Sequence, residues 1–265
     1  MQLRTGFMLS ALEYDLVWAE LGLGQMRYPL EVQSHGRTME ERARLRSDNR
    51  KPMNDSGLLI DGEVDPELAT MLRILANPTR LIDLVGFSRG MLRSVAALGY
   101  DGAVLATLTD RGLSVRPIRD TALVSSIVGV LPDLPAGEGQ SMSVPLAAMR
   151  AAAVAPDPED FGDDPFGGEV ELTEADLLIK NGVSRSDAVA LAELAEGRNG
   201  GGQFGVSVAG RRGAKMRRAD SMVTWFDTRR GRYLMFSDGA WVSLAPAGPD
   251  RIAWRIEESF RNLLD

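Results

Sequence analysis

The chain has 265 residues, of which 44% are hydrophobic and 25% charged, as in an ordinary folded protein. Its formal net charge of −7 argues against binding nucleic acid through bulk charge. It contains a single histidine, His35, and no cysteine. These two residue types are the usual proton shuttles, thiolate nucleophiles and soft metal ligands. The composition therefore excludes a disulfide framework and any His-rich or Cys-rich metal site, and no metal or cofactor is expected.

The sequence also bears on where the protein works. No apolar run approaches the roughly 20 residues of a membrane-spanning helix. The first residues become polar too early for a secretory signal, and a chain without cysteine fits a reducing compartment. We expect a cytoplasmic protein that does not insert into membranes.

Three helices are predicted before residue 78. Each begins where an N-cap residue is followed by a carboxylate three positions on, or by a proline at the first helical position. The signals are Ser10 with Glu13, Thr38 with Glu41, and Asp65 with Pro66.

Strand-like runs follow these helices, separated by short turns rich in Gly, Asp and Arg. Turns this short connect antiparallel neighbours and are too short for the crossovers of a parallel sheet. The predicted strands are 80–87, 91–98, 103–108 and 113–118, and a helix is predicted over 121–130.

The region from Val154 to Glu171 is rich in proline, glycine and acidic residues, which predicts a linker or exposed loop. Helices are predicted to begin again at Thr173 and Ser184, each paired with an aspartate three residues later. Strands are predicted over 203–209, 222–226, 233–236 and 241–244, and a closing helix begins at Pro249.

The same order of elements occurs twice: helices, an antiparallel meander, then a helix. We therefore predict an α+β fold with a central antiparallel sheet, flanking helices and two pseudo-symmetric halves. The halves would be about 1–153 and 172–265 of a single domain, joined by the acidic loop 154–171.

One segment imitates a catalytic motif. Gly86-Phe87-Ser88-Arg89-Gly90 matches the G-x-S-x-G nucleophile elbow of serine hydrolases. In that fold a histidine follows the serine and takes its proton, whereas His35 precedes Ser88. The elbow also needs a helix after the serine, where the turn spacing predicts a strand. A serine hydrolase using Ser88 is thus an unfavoured alternative to a serine in a β-turn.

Two further features admit alternatives. The basic cluster Arg211–Arg218 suggests a nucleic-acid-associated regulator, but a solvated hairpin loop explains it equally simply. His35 is interpreted as a polar loop residue. The four tryptophans fall on apolar faces and are predicted to be core residues: Trp18, Trp225, Trp241 and Trp254.

Several stretches together resemble the EspG family, the cytosolic chaperones of type VII (ESX) secretion in actinobacteria. The first is Trp18-x-x-Leu21-Gly22-Leu23-Gly24, followed by Pro29-Leu30-x-Val32 and Gly36-Arg37-Thr38-x-x-Glu41-Arg42. The second half adds Gly202-Gln203-Phe204-Gly205-Val206, Trp225-x-Asp227-Thr228-x-x-Gly231-Arg232-Tyr233-Leu234, Trp241-Val242 and Ala245-Pro246. Each stretch is weak alone, but their order in one chain is specific.

The resemblance implies a protein that is not an enzyme. It would bind the apolar tip of the PPE subunit of a PE–PPE heterodimer, keep the pair soluble and target it for export, as a monomer or weak dimer. The family's use of its sheet face, early strand loop and C-terminal helical region implies a set of contact residues: Ser88, Arg89, Leu177, Lys180, Gln203, Val206 and Val208. A core position for alternate residues of 203–208 explains the same pattern equally well, and the sequence does not decide between the two interpretations.

Overall fold

The computed structural model describes residues 6–153, 173–210, 215–237 and 239–264. Its helices are α1 (Ala11–Glu20), α2 (Met39–Asp55), α3 (Pro66–Ala76), α4 (Leu123–Val128), α5 (Leu146–Ala153), α6 (Glu174–Lys180), α7 (Arg185–Glu196) and α8 (Pro249–Leu264). A single 3₁₀ turn, Asp120–Ala122, precedes α4. The predicted loop 154–171 lies outside the described residues.

The strands are β1 (Phe7–Leu9), β2 (Leu59–Ile60), β3 (Glu63–Val64), β4 (Arg80–Ser88), β5 (Gly90–Leu98), β6 (Ala103–Thr109), β7 (Gly112–Ile118), β8 (Met142–Pro145), β9 (Arg198–Val208), β10 (Arg217–Arg218), β11 (Val223–Thr228), β12 (Gly231–Ser237) and β13 (Trp241–Pro246). The four strands predicted between residues 80 and 118 are confirmed to within two residues at each end. Strand β9 begins at Arg198, ahead of the predicted start at residue 203.

The chain divides into two compact units. The first comprises residues 1–133, 202–222 and 249–265. Its strands follow the order β1-β7-β6-β5-β4-β9, and β10 pairs with the end of β9. The hairpins β4–β5, β5–β6 and β6–β7 are antiparallel, as the short turns predicted.

Successive residues of these strands face opposite sides of the sheet. One side carries Leu81 and Val95 and packs against α1 and α3 in the main core of this unit. The other side carries Ile82, Leu84 and Ala96, all fully buried, and α4 packs on β4, β5 and β6. Helix α8 packs on α4 and buries Ile252, Ile256 and Phe260.

The caps show why α1 and α3 begin where they do. The Ser10 hydroxyl accepts the Glu13 N–H at 3.2 Å, and the Glu13 carboxylate accepts the Ser10 N–H at 2.7 Å, so this capping box is complete. Asp65 accepts the N–H groups of Glu67 and Leu68 at the start of α3.

The capping box predicted for α2 is only half formed. Thr38 accepts the Glu41 N–H at 3.1 Å, but the Glu41 carboxylate accepts the Arg37 N–H instead of returning to Thr38. Helix α2 has one buried residue, Met53, so its 17 residues lie largely in solvent. Its N-terminal end is held by Arg42, which contacts the buried Asp15 at 3.0 Å.

The second unit comprises residues 134–201 and 223–248. Its strands follow the order β11-β12-β13-β8 with antiparallel pairing, and α5, α6 and α7 enclose its core. A fully buried ion pair joins Arg232 to Asp227 at 2.6 Å, and the Arg232 guanidinium lies over the Trp225 ring.

The α+β class, with antiparallel sheet and flanking helices, is confirmed. The sequence prediction has no counterpart for the helix α5 or for the short strands β1, β2, β3, β8 and β10. The pseudo-symmetric halves remain a prediction.

Candidate partner-binding surface

The β4–β5 hairpin ends in an exposed apolar tip. Phe87 pairs with Met91, Ser88 pairs with Gly90, and Arg89 occupies the turn. Phe87 is 57% exposed and Met91 59% exposed, although both are large hydrophobic residues. Because directly opposite residues of an antiparallel pair project from the same face, the two side chains form one apolar spot.

The face that carries Phe87 and Met91 leads directly toward the main core. Two residues further in, Val85 pairs with Arg93, and both are half-buried. Further in again, Leu81 and Val95 are buried under the helices. We call the four residues Val85, Phe87, Met91 and Arg93 the hairpin face.

An ion pair fixes strand β4 below the hairpin face. Arg218 on β10 donates to both carboxylate oxygens of Asp83, at 2.6 and 2.9 Å. Its guanidinium crosses β9 at Gly205, where a Cβ atom would lie 1.9 Å from the Arg218 Nη2. A side chain at 205 would therefore displace the guanidinium from this path. The hydrogen bond from Arg218 to Asp83 also raises the pKa of the guanidinium above its ordinary value.

The three partner contacts predicted on strand β9 differ in their exposure. Gln203 is exposed, whereas Val206 and Val208 are only 1% and 3% exposed. With Phe204, these valines lie on the buried side of β9. Since their side chains are unavailable to a partner, we remove Val206 and Val208 from the candidate surface, and the alternative that they are core is correct.

The remaining predicted residues lie in two places. Ser88 is half-buried and Arg89 exposed, and they share the hairpin turn in the first unit. Leu177 and Lys180 lie on α6 in the second unit. Leu177 is half-buried and packs against the core of that unit, and Lys180 is exposed. Hydrogen bonds from Thr173 at the start of α6 lower the pKa of Asp176.

The G-x-S-x-G motif does not form a nucleophile elbow. Ser88 ends one strand and Gly90 begins the next, so a hairpin stands where the elbow requires a strand, a turn and a helix. His35 lies in the loop before α2, where its backbone N–H donates to Asp15 at 2.7 Å.

The two described arginines of the basic cluster make contacts within the protein. Arg218 pairs with Asp83, and Arg217 donates to the Leu263 carbonyl at the end of α8. Residues 211–214 lie outside the described residues. The two described arginines therefore serve as anchors for β10, and nothing in their geometry favours nucleic-acid binding.

The prediction that all four tryptophans are core residues was wrong for two of them. Trp18 and Trp225 are buried, but Trp241 is 48% exposed and Trp254 is 51% exposed. Trp254 lies on α8 two positions from both Ile252 and Ile256, so it does not share the buried face that those two residues form.

Sequence reasoning missed Phe87, Met91 and Arg93. The signal was present, because 85, 87, 91 and 93 alternate toward one face once the turn at Arg89 is placed. The family resemblance implied the turn residues Ser88 and Arg89 instead.

The described residues contain no group of three or more side chains arranged to hold a metal ion. Among those residues no helix combines the length and apolar character needed to cross a membrane. The second unit holds a cavity of about 250 Å³, lined largely by apolar side chains of α5, α6, α7 and the adjoining strands.

Comparison with known proteins defines the class. The model of the EspG family matches residues 10–258, and the chain belongs to that family. Among solved structures, the chain is similar to the Mycobacterium tuberculosis type VII secretion system chaperone EspG5, determined in complex with the PE25–PPE41 dimer. The similarity covers 97% of this chain and 96% of that one, with 15% sequence identity and a TM-score of 0.69. No curated protein sequence matches the chain.

Proposed function

We propose that this protein is a cytoplasmic chaperone of a type VII secretion system and binds the apolar tip of the PPE subunit of a PE–PPE heterodimer. It would keep the heterodimer soluble and target it for export, and it would act by binding alone, without catalysis. Membership of the EspG family supports this, as does the complex in which the similar EspG5 structure was determined.

The observation that carries the proposal is the exposed pair Phe87 and Met91. A folded protein that displays two large hydrophobic side chains at a strand hairpin has a surface suited to burial by a partner. An apolar helical tip would otherwise associate with its own kind, and a chaperone that covers it stabilises the monodisperse heterodimer by mass action.

The surrounding residues suit the rim of such an interface. Ser88, Arg89 and Gln203 are polar, and Arg89 and Gln203 are exposed, as residues of an interface rim commonly are. We keep Leu177 and Lys180 as further proposed contacts on the second unit. Neither the serine-hydrolase nor the nucleic-acid alternative gains support from the geometry of Ser88 or Arg218.

Co-expression with PE–PPE pairs encoded in the same genome tests the proposal. We expect one pair to co-elute with the chaperone as a ternary complex on size exclusion. The double substitution Phe87→Ser with Met91→Ser should weaken or abolish co-elution without unfolding the protein, because both side chains are exposed.

Tyr100→Ser is the matched control, since Tyr100 is 94% exposed in the β5–β6 turn. It should leave co-elution unchanged. Failure of the wild-type protein to bind any pair would overturn the proposed function, and binding that survives the double substitution would remove the hairpin face from it.

A further inference from the structure

Arg93 differs from the other inward-facing arginines of the first unit. It lies on β5, directly opposite Val85 on β4 and the buried Leu108 on β6. Its side chain is half-buried, and its Nε atom is buried without a hydrogen-bond acceptor in the described part of the chain. Arg42 and Arg218, by contrast, each contact a buried aspartate.

Such an arrangement is unfavourable for the isolated protein. A guanidinium carries five N–H donors and its charge is never lost, and here the buried Nε–H has no acceptor among the described residues. An anionic acceptor brought by a partner would satisfy the guanidinium, and a carboxylate matches its fork geometry.

The position of Arg93 specifies the chemistry of that partner. Met91 and Arg93 are two residues apart on the same face, about 7 Å along the strand. Side chains one turn apart on a helix are separated by about 5–6 Å. A helical segment with an apolar residue and an acidic residue one turn away would therefore place one against Phe87 and Met91 and the other at Arg93.

We infer that Arg93 recognises a carboxylate of the bound PPE subunit, one helical turn from the apolar side chain that packs on Phe87 and Met91. This inference rests on the proposed function and adds to it a charge requirement. The hairpin face thus selects its substrate by an apolar contact and an ion pair together.

The test compares Arg93→Met with Arg111→Met in the affinity of purified chaperone for its cognate PE–PPE heterodimer. Methionine keeps an unbranched apolar stem at position 93 and removes the guanidinium and its charge, whereas Arg111 is exposed in the β6–β7 turn. We expect Arg93→Met to weaken binding at least about tenfold, the scale expected when one partner of a desolvated charge pair is removed. Arg111→Met should bind like the wild type.

Thermal unfolding of the unbound variants separates recognition from a structural role. Because the Arg93 side chain has no hydrogen-bond or ion-pair partner to lose among the described residues, Arg93→Met should leave the melting temperature unchanged or raise it. A lowered melting temperature would show instead that Arg93 stabilises the fold. If that variant does not fold, Arg93→Lys keeps the charge but not the fork, and should bind with intermediate affinity.

Charge exchange completes the test. Arg93→Glu should abolish binding, and replacing the acidic residue of the PPE tip with lysine should restore it. Wild-type affinity in Arg93→Met would overturn this inference while leaving the proposed function intact. Failure of the wild-type chaperone to bind any pair would overturn both.

Discussion

Single residues decide how strand β4 is held beneath the hairpin face. Asp83 is almost fully buried, and its carboxylate is satisfied by Arg218 across Gly205. Removing one member of such a pair leaves a buried charge unpaired, whereas removing both together costs less. The Arg218 guanidinium can reach Asp83 across β9 because residue 205 is a glycine, since any side chain there would displace it.

We therefore predict that Arg218→Met lowers the free energy of unfolding by about 1–3 kcal/mol, the cost of leaving a buried acceptor unsatisfied. Arg218 is itself partly exposed, which places the effect below that of a fully buried pair. The double variant Asp83→Leu with Arg218→Met should recover part of the loss. Chemical denaturation measures both, and an equal or larger loss in the double variant would show that the pair is not coupled as described.

At the scale of elements, helices α2 and α3 differ in how they are stabilised. Helix α3 buries seven of its residues, whereas α2 buries only Met53. Tertiary packing provides most helical stability in proteins, so α3 is part of the cooperative core and α2 depends mainly on its caps and end contacts.

This contrast gives a paired prediction for the two N-caps. Asp65→Ala should lower the free energy of unfolding by about 1 kcal/mol, the usual cost of losing an N-cap. Thr38→Ala should change global stability much less and instead speed amide hydrogen exchange within α2. A large global loss from Thr38→Ala would mean that α2 unfolds together with the core.

Local signals explain which elements could be predicted from sequence. Capping residues and short turns depend on neighbours in the chain, so α1, α3 and the four strands from 80 to 118 were predictable. Strands β1 and β8 are only three and four residues long and gain their pairing from distant partners, β7 and β13. Val206 shows the same limit for burial, since strand alternation identifies a face of the sheet but not what covers it.

The whole molecule combines two compact units with an exposed hairpin face on the first. The family and the similar EspG5 structure are consistent with the α+β fold predicted from sequence. The candidate contact residues were predicted less well, because exposure depends on three-dimensional packing. Ser88 and Arg89 were proposed because the EspG resemblance implies contacts through the early strand loop, whereas the neighbouring Phe87, Met91 and Arg93 were not proposed.

Amide hydrogen exchange with and without the cognate PE–PPE heterodimer tests the central claim most directly. The account predicts slower exchange on binding across residues 84–94, which span the tip of the β4–β5 hairpin. The β6–β7 turn at 109–112 should exchange at the same rate in both states. Unchanged exchange across 84–94 in a saturated complex would contradict the claim that this hairpin binds the partner.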